Sequence, residues 1–195
     1  MKTFDFLMFA AIAVIATASI ASAQTSGGLG LRASLGTDVT LGIGVGAGAA
    51  YSWVPTEGGT AFEFGADLFY HRSSEEEQEP VTRYQETTTL ILFTVRANGL
   101  FNYHPKKAGV YFIAGFGFIV ANMNWERKSI SGVARPTDDE EATAAGNIVN
   151  LGIGIVLGRA WDLRLETPML YFYNTAGGAT SFAPTFTVGV VYKLK

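Results

Sequence analysis

The stretch LGIGVGAGAA, residues 41–50, decides how the rest of the chain reads. Glycine stands at Gly42, Gly44, Gly46 and Gly48, with aliphatic residues between. Two overlapping windows, Gly42–Gly44–Ala47 and Gly44–Gly46–Ala49, fit the G-x-G-x-x-G/A fingerprint of dinucleotide-binding loops. That fingerprint must end a strand and open a helix. The next residues, YSWVPTEGG, contain Pro55 and the pair Gly58 and Gly59, which rule out a long helix. The other reading is a strand. Period-2 alternation then puts Leu41, Ile43, Val45, Ala47 and Ala49 on one face and the four glycines on the other.

The same alternation recurs along the chain, and eight strands are expected. Their apolar faces carry, in turn, Leu29 to Leu35, Val39 to Trp53, Phe62 to Tyr70, Ile91 to Tyr103, Val110 to Val120, Val149 to Leu157, Trp161 to Tyr173 and Phe182 to Leu194. Connections after strands two, four and six are short, around PTEGG, HPKKAG and GRA. Those after strands three and five, residues 71–86 and 124–146, are long and charged, and loops are expected there. No useful 3.6-residue period is visible beyond the leader.

Composition narrows the class. Hydrophobic residues make up 48% of 195 while charged residues make up 16%, which is apolar for a soluble domain. A net charge of -3 gives no support to a nucleic-acid partner. The absence of cysteine excludes disulfides, thiolate metal sites and cysteine catalysis. Residues 1–23 hold Lys2, the apolar run FLMFAAIAVIA and the A-x-A-like end Ala21, Ser22, Ala23. They read as a cleaved signal peptide, leaving residues 24–195 as one exported domain.

Three features turn the apolar face outward. The opposite face is mostly glycine with sparse charges, Arg32, Glu63, Asp67, Arg96, Arg164 and Glu166. A water-exposed sheet would use Thr, Lys or Glu in place of so much glycine. A narrow lumen needs small residues beside long ones, so Gly42, Gly44, Gly46 and Gly48 are expected to leave room for arginines from other strands, and those six charged residues to form a polar network inside. Asp67–Arg96 and Glu166 with Arg32 or Arg164 are the expected pairs. Aromatic residues sort into bands at the two ends of the strands. Trp53, Tyr103, Trp161, Tyr171, Tyr173 and Tyr192 are the expected girdle at the membrane–water interfaces. A tilted membrane strand needs about 9–11 residues, and closure leaves no unpaired edge in hydrocarbon. The expected fold is therefore all-β, an eight-stranded antiparallel transmembrane up-and-down barrel.

This pattern resembles the small outer-membrane β-barrel proteins, the OmpA-like membrane domain and its eight-stranded relatives, across the whole exported chain. The stretch TVGVVYKL carries its most specific element: Thr187, Gly189, Tyr192 and Leu194 match the family's last-strand insertion signal. The resemblance implies recognition by the barrel-assembly machinery, although the usual terminal aromatic is replaced here by Leu194 and Lys195. It implies the bacterial outer membrane as location, with lipid and lipopolysaccharide as surroundings.

Enzymatic readings are weaker. HRSS, at His71 to Ser74, is loosely similar to the H-x-S-N motif of lipid A deacylases, but Ser74 replaces the Asn and the motif comes after strand three. His104 sits in a short turn. The acidic runs EEEQE and DDEE lack spaced metal ligands and read as solvated charge. No catalytic, cofactor-binding or metal-binding residue is assigned. The expected role is a structural or surface-interaction barrel acting through long extracellular loops towards an unidentified partner. The alternatives are a small pore or transporter for ions or hydrophobic solutes, an envelope-lipid esterase, and a soluble lipocalin-like barrel.

Overall fold

Alternation in the sequence produces one closed sheet. The protein is described by a computed structural model over residues 28–38, 42–55, 59–78, 82–132, 138–173 and 180–194. The expected leader, residues 1–23, lies outside the described residues, as does Lys195. The strands are β1 (Gly28–Asp38), β2 (Gly42–Trp53), β3 (Gly59–Gln78), β4 (Thr82–Tyr103), β5 (Gly109–Gly132), β6 (Asp138–Val156), β7 (Trp161–Tyr173) and β8 (Thr180–Lys193). Each pairs antiparallel with its sequence neighbour, and β1 pairs with β8 to close the barrel.

The glycine-rich stretch is the centre of β2. Its odd positions point away from the barrel axis, and Ile43 is 75% exposed. Its glycines face inward, where side chains from other strands lie across them. A Cβ on Gly44 would run into the Phe69 ring and the Tyr70 carbonyl, and one on Gly48 into Asp67. Arginines were the expected occupants of this space. The structure puts an aromatic ring over Gly36, Gly44 and Gly46 instead, all of them beside Phe69.

Strand lengths fall into two sets. β1, β2, β7 and β8 have 11 to 14 residues, which suits a tilted membrane crossing. β3 to β6 have 19 to 24. The segments expected as long charged loops are therefore largely strand. The β3–β4 ladder runs on to Gln78↔Arg83, and the β5–β6 ladder to Arg127↔Asp138. By contrast β2 leaves β3 at Gly44↔His71, and β7 leaves β6 at Ala145↔Tyr173. A four-stranded sheet thus continues beyond one end of the barrel by roughly 20 Å, from about 3.3 Å per residue. Period-2 hydropathy disappears there because both faces meet water, so the strands look like loops in the sequence.

The lumen is filled in three tiers. Near the short turns, Val54, Ala61, Leu100, Tyr103, Tyr111, Ile113 and Val156 form a buried apolar cluster. Near the projecting sheet, Leu92, Ile119, Ala121, Ile148 and Leu170 form another, with Phe69 and Leu90 packed against it. Arg32, Glu63, Asp67, Arg96, Arg164 and Glu166 lie between these two clusters along the inward faces of β1, β3, β4 and β7.

Candidate functional site

Inward parity brings six charged residues from four strands to one height. Arg164 on β7 grips Glu63 on β3 with two parallel bonds, its Nη1 and Nη2 donating to Oε1 at 2.7 Å and Oε2 at 2.6 Å. This bidentate geometry gives both energy and direction. Glu166 accepts from Arg32 Nη2 at 2.7 Å and from Arg96 Nη1 at 2.8 Å. Arg96 Nη2 also donates to Asp67 Oδ2 at 2.5 Å, and Arg32 Nε lies 3.4 Å from Asp67 Oδ1. Arg32, Glu63, Asp67, Arg96, Arg164 and Glu166 thus form one continuous hydrogen-bonded cluster.

Neutral residues complete the cluster, and the sequence did not mark them as members. Asn98 donates to Glu63, and Asn150 donates to Glu166 at 2.7 Å. Arg164 Nε donates to the Tyr111 hydroxyl at 2.8 Å. Tyr111 and Tyr103 both donate to Asp162 Oδ2, whose other oxygen lies 2.7 Å from Lys193 Nζ. Apart from Tyr103, their inward parity was legible, but sharing one height depends on strand stagger, which period-2 counting does not supply. The cations Arg32, Arg96, Arg164 and Lys193 face the carboxylates Glu63, Asp67, Glu166 and Asp162. The tier is balanced, so it holds no net charge to attract or repel a permeating ion.

The girdle residues divide. Trp53, Trp161, Tyr171 and Tyr192 point outward, with Trp53 stacked on Phe62 at 5.6 Å and Trp161 against Tyr192 at 4.7 Å. The Tyr173 side chain lies outside the described residues. Tyr103 does not belong to the girdle. It is 1% exposed and packs edge-on against Tyr111 inside the barrel. The cause is a bulge: Gly59 pairs with Tyr103 and Thr60 with Phe101, leaving Asn102 unpaired with φ 62°. One extra residue reverses the parity beyond it, so Phe101 keeps its outward face and Tyr103 turns inward.

The last strand divides by face. Tyr192 and Leu194 are exposed on the outside, while Thr187 and Gly189 face the lumen. His71 is buried at the projecting end of the lumen, its Nδ1 2.9 Å from the Ile43 carbonyl oxygen. Ser74 is exposed on the opposite face of β3 and contacts Gln85 and Thr87. His71 and Ser74 therefore point away from each other.

The projecting sheet carries a second polar assembly. Arg127 lies 4.1 Å above the Tyr84 ring and pairs with Glu77 at 2.9 Å and Glu86 at 3.1 Å. Outside the barrel, large apolar side chains are exposed all round the ring, among them Leu35, Phe64, Phe116, Phe118, Ile153, Leu165 and Val188. A soluble protein would not expose so continuous an apolar belt. It matches a lipid-facing surface around a polar interior.

The barrel is similar to two solved outer-membrane structures. It matches Ail, the attachment invasion locus protein of Yersinia pestis solved with the heparin analogue sucrose octasulfate. The match has 11% identity and TM-score 0.50 and covers 86% of this chain and 97% of that one. It also matches the N-terminal β-barrel domain of Pseudomonas aeruginosa OprF at 12% identity and TM-score 0.51, over 87% and 98% of the two chains. No curated protein matches the sequence significantly. The family model described as outer membrane protein beta-barrel domain matches residues 7–193. The chain therefore belongs to the outer membrane protein beta-barrel domain family, and its place is the bacterial outer membrane.

Proposed function

We propose that this chain is a non-enzymatic, sealed barrel that anchors a rigid sheet outside the cell for contact with a surface partner. The observation that carries this reading is the length of β3 to β6, 19 to 24 residues against 11 to 14 for the other four strands. Extra paired strand does not help a chain cross a bilayer that shorter strands already span. Its gain is a fixed surface held above the headgroups. The interior supports the same reading. A charge-balanced tier between two apolar tiers serves as filling and offers no wet path for a solute.

Other parts of the reading come from the outer surface. The exposed apolar belt contacts outer-membrane lipid, and lipopolysaccharide surrounds the base of the projecting sheet. Thr187, Gly189, Tyr192 and Leu194 act as the insertion signal for the barrel-assembly machinery. The six lumen residues hold strand stagger in place.

The test is a barrel in which both projecting hairpins are trimmed to short turns. The trimmed chain should insert and keep heat-modifiable migration on gels, while cells bearing it lose the surface binding of cells bearing the full chain. Retained binding would refute the role of the sheet.

A further inference from the structure

The four projecting strands have two unlike faces, and the outer one begins at Tyr70 and Ile91, exposed on the outside of the barrel. On the outer face Ser74, Gln85, Thr87, Asn122 and Thr143 are polar and bond largely to one another or to Glu141. On the face that continues the lumen wall, the lowest row holds Leu90, Met123 and Ala142, with Met123 39% exposed. The next row holds Trp125, half-buried, beside Glu140. Above it stand Glu75, Glu86 and Glu77, with Arg127 the cation among them. At the top, Thr82 and Tyr84 are buried, and their hydroxyls have no hydrogen-bond partner. Among the described residues, the ladders of β7, β8, β1 and β2 end lower than those of β3 to β6.

We propose that this inner face is the docking surface of the projecting sheet, and that its occupant is a cationic amphiphilic peptide segment from outside the cell. This rests on the reading of the chain as an outer-membrane barrel with an outward sheet. The apolar side of such a segment covers Leu90, Met123, Ala142 and Trp125. Its lysines or arginines meet Glu75, Glu77, Glu86 and Glu140. Arg127 already shows how a guanidinium sits there, over Tyr84 and between two carboxylates. An anionic ligand would face carboxylates from β3, β4 and β6.

The test uses the full chain in nanodiscs of zwitterionic lipid and a labelled short peptide alternating lysine and valine. Fluorescence anisotropy reads binding, and empty nanodiscs provide the lipid background. Saturable binding is expected, and its Kd should rise about tenfold or more in the E75Q/E77Q/E140Q variant and with added salt. An oligolysine of equal length should bind about tenfold more weakly, because it leaves the apolar floor uncovered. Equal binding by the neutralised variant, equal binding of oligolysine, or displacement of the peptide by sucrose octasulfate would overturn the proposal. Heat-modifiable migration checks folding separately. Failure of the native chain to fold in lipid sinks the barrel reading, whereas a folded barrel without saturable peptide binding sinks the docking surface alone.

Discussion

Arg164 and Glu63 are both almost fully removed from solvent, at 1% and 0% exposure. A buried pair contributes little over an apolar pair, but removing one partner leaves an uncompensated charge. Arg164→Met should therefore destabilise the barrel by about 3–5 kcal/mol in urea unfolding from lipid vesicles. The double change Arg164→Met with Glu63→Met should recover much of that loss. Equal losses in the single and double variants would show that the pair is not coupled. The glycines of the inner face are tested at Gly154, where a Cβ would overlap the Tyr111 ring that Arg164 and Asp162 hold. Gly154→Ala should cost about 1–3 kcal/mol through overpacking, in the same assay. An unchanged midpoint would mean the lumen is looser than its contacts indicate. At this scale the sequence disclosed that the six network residues face inward, and it put Tyr103 on the wrong face. It did not disclose that rings rather than arginines lie over the glycines, since lumen neighbours come from strands distant in sequence.

At the scale of strands, alternation identified all eight, and it failed where a strand changes phase or leaves the membrane. The phase change is the bulge at Asn102 in β4. Before it Leu100 faces in, after it Tyr103 faces in, and an unbroken count puts Tyr103 outside. Asn tolerates the left-handed backbone there far better than a β-branched residue, and its Nδ2 donates to the Val110 carbonyl at 2.9 Å. Asn102→Gly should be nearly neutral, while Asn102→Val should cost about 1–2 kcal/mol in urea unfolding. If both behave alike, the backbone at Asn102 is not what fixes the parity. The second failure is the projecting sheet. Thr87, Thr88 and Thr89 are β-branched and suit strands, so propensity pointed to strand where hydropathy did not. Alternation reports a difference between two environments, and above the membrane both faces of the sheet are wet.

For the molecule as a whole, the order of the tiers matters more than the count of charges. A polar network open at both ends would offer water and ions a path along hydrogen-bonded groups. Here the network lies between the cluster around Leu100, Tyr103 and Tyr111 and the cluster around Leu92, Ile119 and Leu170. An ion entering from the projecting end would have to leave its hydration shell in the apolar layer around Leu92, Ile119 and Leu170 before reaching the arginine–carboxylate cluster, and that desolvation costs several kcal/mol. Reconstituted protein should therefore show no stepwise conductance in planar bilayers. Arg96→Ala should not create one, because it opens space only inside the middle tier and leaves both apolar layers shut. Shortening side chains in both layers, as in Leu92→Ser with Leu100→Ser, should be needed before channels appear. Defined conductance from the native barrel would mean that the tiers do not seal it, and that the small-pore reading is the better one.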